Sequence, residues 1–296
     1  MNNWYDNIKD PSWPETIDAE EIKKLPANIS QEIITRILLP LLDSKSDITD
    51  LEIIRLPYSD TCNRDYKNVN YNPQCRKTFK INDVTVYYDD DLDGGGTNFG
   101  HDFTPVIKLL YPNKTFNNCL EWCAGPGFIG FGLLANDICK NLYLAEIFKP
   151  AIQCCNKTIA CLPLRFADRL IETIHLSSVS EIAPDKMFDL VVASPPFFNR
   201  SDKIYGARVL SVNNSLPSHR LTTDTNWNIH RDFYKNVKKH LSKDGIILLQ
   251  EEMWHSGPDT FHDMIHESGL EITDCFHTSI RRDIYYLEVR HLQDKI

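Results

Sequence analysis

Three stretches of the chain carry residue types that could do chemistry together. The first is Leu120-Glu121-Trp122-Cys123-Ala124-Gly125-Pro126-Gly127. Its glycines let the backbone pass close to a ligand, and a helix starting beyond them offers unpaired N–H groups. The second is Glu146, 19 residues after Gly127. An acid at the end of the next strand can accept hydrogen bonds from both hydroxyls of a ribose. The third is Val191-Val192-Ala193-Ser194-Pro195-Pro196-Phe197-Phe198. The Pro-Pro pair fixes the backbone and supplies no N–H, so nearby carbonyls stay free to accept hydrogen bonds. Phe197 can stack on a planar group. Taken singly these are a plain turn, a solvent-facing acid and a loop. Placed in one crevice they are a site, because ligands of open α/β sheets lie beyond the carboxyl ends of the strands.

The elements that must position them alternate from about residue 100 onward. Strands are predicted at 118–123, 141–146, 171–177, 188–193 and 245–250, with helices at 128–136, 150–161, 227–241 and around 262–267. Alternation of this kind argues for a parallel sheet with crossover helices, and the unbroken apolar run at 188–193 suits a central buried strand. The stretches 271–278 and 284–291 alternate apolar and polar residues, as the strands of an antiparallel hairpin do. The expected fold is α/β: a Rossmann-like, doubly wound, seven-stranded sheet with a terminal antiparallel hairpin, over residues 94–296. Residues 1–93 are read as a smaller α+β accessory region for substrate recognition. There Ser30 would cap a helix bearing Ile33, Ile34, Ile37, Leu38, Leu41 and Leu42, and a hairpin over 78–88 would turn at Asn82-Asp83. Gly94-Gly95-Gly96 is the expected hinge.

Bulk composition narrows the class. The net charge of −9 weighs against a surface that wraps nucleic acid, where binding is driven by counterion release. Charge is uneven, however: residues 197–243 hold nine Lys or Arg against three acids, and residues 61–80 hold Arg64, Lys67, Arg76, Lys77 and Lys80 against Asp65. These are read as solvated faces or as a basic rim to the site. No apolar run spans a membrane and residues 1–30 are acidic without an apolar core, so a soluble cytoplasmic location is expected. Nine cysteines with no CxxC pair suggest reduced, mostly buried thiols and no structural zinc. His255, His262 and His266 lack a recognised ligand arrangement, and no metal is expected. Glu251 and Glu252 follow the fifth strand and could face the site, but are read as solvated strand-end acids, and Tyr285 and Tyr286 as packing residues of the last hairpin.

Glu121 through Gly130, Glu146 and Ser194 to Phe197 together resemble the first, second and fourth motifs of class I S-adenosylmethionine-dependent methyltransferases. The closer likeness is to the branch with an (Asn/Asp/Ser)-Pro-Pro-(Tyr/Phe) motif, which includes release-factor glutamine methyltransferases and adenine-N6 and cytosine-N4 nucleic-acid methyltransferases. It covers about residues 97–291. The resemblance implies S-adenosylmethionine as cofactor, held by Glu121, Cys123, Ala124, Gly125, Gly127, Glu146, Ser177 and Phe103. It implies that Ser194, Pro195, Pro196 and Phe197 serve the acceptor. Phe99 and Asp102 are further contributors to the upstream stretch, and the adenine is assigned to Ser177-Ser178 with Asp168 as the alternative. Two positions depart from the family: Cys123 replaces its first glycine, and Ser194 stands where Asn or Asp is commonest. The implied reaction is methylation of a planar amide or exocyclic amine nitrogen of a protein or nucleobase. The alternatives are a small-molecule methyltransferase, a non-catalytic cofactor-binding subunit and, from the glycine turn alone, an oxidoreductase.

Overall fold

The structure is a computed structural model. It describes residues 75, 77–89, 92, 100–197, 199, 224–252, 256–257, 259–278 and 284–293. The expected helix near residues 33–42, the Gly94–Gly96 hinge, Phe99, Phe198 and His255 lie outside the described residues.

The first described elements are the hairpin strands β1 (Lys77–Ile81) and β2 (Val84–Tyr88), which turn at Asn82-Asp83. Next come α1 (Phe103–Leu110), β3 (Phe116–Trp122), α2 (Phe128–Ala135), β4 (Cys139–Glu146), α3 (Lys149–Ala160) and β5 (Ile171–His175). The remainder is β6 (Phe188–Ala193), α4 (Asn228–Val237), β7 (Leu241–Glu252), α5 (Asp259–Glu267), β8 (Leu270–Phe276) and β9 (Ile284–His291). The main sheet has seven strands in the order β5-β4-β3-β6-β7-β9-β8. Strands β3 to β7 run parallel, and β9 joins β7 and β8 antiparallel. This is the doubly wound sheet closed by a terminal hairpin.

The period-2 alternation of the strands divides the core in two. Cys119, Leu142, Leu144, Leu190, Val192, Ile246 and Leu248 point to the face covered by α1, α2 and the β1–β2 hairpin. Leu120, Tyr143, Ala145, Val191, Ala193, Ile247 and Leu249 point to the face covered by α4 and α5. The hairpin shares the first core: the Phe79 and Tyr88 rings meet Phe128 edge-on at 5.9 and 5.2 Å. Tyr285 and Tyr286 are buried packing residues, as their hairpin position suggested. Among the described residues no helix is long and apolar enough to cross a membrane.

Candidate functional site

The parallel strands end on one edge at Trp122, Glu146, His175, Ala193 and Glu252. The winding reverses between β3 and β6, which are paired Leu120 to Val191 and Glu121 to Val192. A crevice opens at such a switch point. The glycine turn leaves β3 on one side of it, and Ser194 leaves β6 on the other.

Sequence makes the glycine turn rigid. Gly127 caps α2 at φ +85°, and a Cβ there would stand 2.8 Å from the Phe131 ring. Gly130 matters for closeness: its Cβ would fall 2.6 Å from Glu121 Oε2. That gap lets the Gly130 N–H donate to Glu121 Oε2 at 2.7 Å, while the Ile129 N–H donates to Oε1 at 3.2 Å. Glu121 thus ties the end of β3 to the first turn of α2. Burial pushes its carboxyl up to about 8, against the two backbone hydrogen bonds that favour the charged form. Cys123 sits at φ +54°, a region a side chain adopts under strain.

Glu146 is buried and is the hub of the glycine-turn side. Its Oε2 accepts from the Gly125 N–H at 2.7 Å, and its Oε1 from Ile147 and Phe148 at 2.9 and 2.8 Å. Three of a carboxylate's roughly four lone-pair positions are therefore filled by backbone, and one at Oε2 remains for a hydroxyl. The Cys155 thiol on α3 donates to the Gly125 carbonyl at 3.2 Å. The Ala124 N–H donates to the Ala145 carbonyl at 3.1 Å, which seats the turn between β3 and β4.

On the opposite side Pro195 and Pro196 are buried, while Ser194 and Phe197 are half-buried. The Ser194 hydroxyl has no hydrogen-bond partner among the described residues. Ser177 follows β5, and its hydroxyl donates to Glu181 Oε1 at 2.6 Å. Asp168 precedes the first residue of β5, at the edge of the sheet away from the crevice. Phe103 is fully buried, its ring edge-on to Tyr286 at 5.1 Å, so its surface is taken up by the core.

Several residues of this region were not read from the sequence. Ile147 is 62% exposed and Phe148 38% exposed, directly beyond Glu146. The reading of Glu251 as a solvated strand-end acid is corrected: it is 1% exposed. Its Oε1 pairs with His230 Nε2 at 2.9 Å, and His230 Nδ1 pairs with Asp224 Oδ2 at 2.7 Å. Glu251 lies two positions beyond Leu249, the partner of Ala193, so its side chain shares the α4 face and follows the period of Ile247 and Leu249. That parity, and the spacing of His230, Phe233, Tyr234 and Val237 along α4, were the legible signals. The imidazole stacks on Phe261 at 4.4 Å and meets Trp122 and Trp227 edge-on at 5.7 and 5.6 Å. Burial disfavours its charged form, but the Glu251 charge and the Asp224 hydrogen bond outweigh this and hold it up at about 9. Burial likewise pushes Glu251 up. Both ring nitrogens are engaged by carboxylates, and among the described residues no group of three His, Cys, Asp or Glu side chains is placed to hold a metal.

No protein-family model matches this chain, and no curated protein matches it. Solved structures with a similar chain path include a methyltransferase from Pyrococcus furiosus, at 8% identity, TM-score 0.47, with 71% of this chain and 90% of that one covered. An S-adenosylmethionine-dependent methyltransferase from Clostridium acetobutylicum aligns at 11% identity and TM-score 0.44, covering 64% of this chain and 90% of its own. The glycopeptide N-methyltransferase MtfA, complexed with sinefungin, aligns at 16% identity and TM-score 0.45, covering 69% and 90%. At these scores the strand order of the chain itself, and not the likeness, identifies its architecture.

Proposed function

We propose that this chain is an S-adenosylmethionine-dependent N-methyltransferase acting on a planar amide or exocyclic amine of a protein or nucleobase. One observation carries the reading. At the switch point a glycine turn bonded to a buried acid, Gly125 to Glu146, faces a half-buried Ser-Pro-Pro-Phe run at the end of the adjoining strand. The residues fit the cofactor: Glu146 keeps a free lone pair at Oε2 for a ribose hydroxyl, and exposed Ile147 and Phe148 offer an apolar surface beside it. The cofactor would supply a methyl group already activated on a sulfonium.

What remains for the protein is orientation and exclusion of water. The unpartnered Ser194 hydroxyl and the Pro195 carbonyl would accept hydrogen bonds from the acceptor NH₂, turning its lone pair toward the methyl group. Phe197 would stack on the flat amide or base. No strong general base is needed for this, and none is assigned.

The test is transfer from radiolabelled S-adenosylmethionine into a lysate of cells lacking the protein, alongside calorimetry of cofactor binding. Precipitable counts released by protease mark a protein amide, and counts released by nuclease mark a nucleobase. Cofactor binding without macromolecular label moves the acceptor to the small-molecule class. Absence of cofactor binding overturns the reading.

A further inference from the structure

Away from the crevice two thiols confront each other. Cys154, on α3, and Cys75, just ahead of β1, hold their Sγ atoms 2.7 Å apart. Both are free thiols, 0% and 6% exposed, packed with Leu92, Ala151 and Tyr87. They are 79 positions apart in sequence, so the tertiary fold alone sets their approach. Clamps on either side hold it. Lys157 Nζ donates to the Cys75 carbonyl at 3.2 Å and lies 4.5 Å from the centre of the Tyr87 ring. The Tyr87 N–H donates to Thr158 Oγ1 at 2.9 Å. A disulfide needs S–S of about 2.05 Å, so the bond can form with movement of well under one ångström.

We propose that Cys75 and Cys154 are a redox modification site, joined by exchange with a low-molecular-weight disulfide of the glutathione class into a reversible staple between the β1–β2 hairpin and α3. Cys75, the more exposed sulfur, is the entry point. Its thiolate attacks the small disulfide, the S–S bond breaks, and one glutathione thiolate leaves. The Cys154 thiolate then attacks Cys75 Sγ and expels the second glutathione. Two protein thiols are oxidised, one small disulfide is reduced to two thiols, and the two protons pass to the departing thiolates. Burial pushes the Cys154 thiol up, which makes the second step slow and the pair responsive to sustained oxidation. The next residue, Cys155, bonds to the carbonyl of Gly125, so the staple anchors the helix that backs the glycine turn.

The test uses the full chain equilibrated in glutathione buffers from reducing to oxidising. It is then quenched in acid, unfolded, alkylated and mapped by peptide mass spectrometry. The expected result is a Cys75–Cys154 cross-linked peptide in the oxidising buffers. A rise in melting temperature of about 5 °C, reversed by dithiothreitol, should accompany it. Cys154→Ser removes both signals, and Cys161→Ser, at the exposed end of α3, removes neither. Full alkylation of both thiols in the most oxidising buffer, glutathione adducts alone, or a link to another cysteine overturns the proposal. The wild-type map decides even where a variant does not fold, and it is independent of any methyl-transfer activity.

Discussion

The two sides of the switch point bury their acids by different means. On the β3–β4 side, Glu121 and Glu146 are held by backbone N–H groups that are at most 21 residues away in sequence. On the β6–β7 side, Asp224 and Glu251 share one imidazole. Backbone dipoles do not titrate, so the first side keeps its geometry wherever its carboxylates are charged. The second depends on a proton carried by His230, which bridges the two acids, while Asp224 also accepts the Ile229 and His230 N–H groups at 2.9 and 3.0 Å and Glu251 the Ser256 hydroxyl at 3.1 Å. The first arrangement suits a fixed cradle, as the proposed cofactor site requires. The second is packed on the α4 face against Phe261 and Trp122, and it keeps its proton up to about pH 9.

That contrast can be broken most forcefully at His230. His230→Leu keeps the volume but strands two buried carboxylates, and denaturant unfolding should show a loss of about 3–5 kcal/mol. A loss under 1 kcal/mol would mean that the acids are simply protonated in the fold. On the other side, Glu146→Ala removes the ribose acceptor and frees Gly125. Cofactor affinity measured by calorimetry should fall by about 2 kcal/mol, roughly 30-fold; an unchanged value would show the ribose to be held elsewhere. A smaller effect is the pH dependence. His230 is held near 9 against an ordinary 6.5, so the folded chain keeps a proton that the unfolded chain has lost in that window. Its stabilisation is complete below pH 6.5 and is lost as pH rises through 9. Glu121, held near 8 against 4.5, tilts stability the same way but only up to pH 8. Between pH 8 and 9 His230 contributes about 1 kcal/mol of the slope, the buried thiols of Cys119, Cys123, Cys154 and Cys155 adding to it in the same sense, and a urea series should find the slope smaller by that amount in His230→Gln. Smallest is the effect of Phe197→Ala on cofactor binding, expected to stay within about twofold while transfer falls about tenfold. Equal losses in both would erase the division between the two sides.

The same contrast explains what was legible. Glu121, the glycines and Glu146 are joined by backbone N–H groups at one glycine turn, so their spacing forms a motif. The doubly wound sheet with its closing hairpin followed from alternation, and the β6 bounds, 188–193, were read as they stand. His230 and Glu251 are just as far apart in sequence as Gly125 and Glu146, but they meet from two elements through side chains alone, with no glycine turn to mark them. Each obeys its local period, but Glu251 was read as solvated because a charged residue at a strand end ordinarily is, and His230 carried no motif to single it out. Ser177 is expected to contact the ligand from its place after β5; its hydroxyl donates to Glu181 beside the capping box that Ser178 makes with the same acid, a local arrangement that a single position does not announce. Phe103 stood near the right motif but on a helix whose apolar stripe is claimed by the core.

Ile147 and Phe148 leave an uncovered apolar ledge at the end of β4. Water ordered over that ledge must be released when a flat ring settles there. Association at this edge should therefore carry a negative heat-capacity change, growing more exothermic as the temperature is raised.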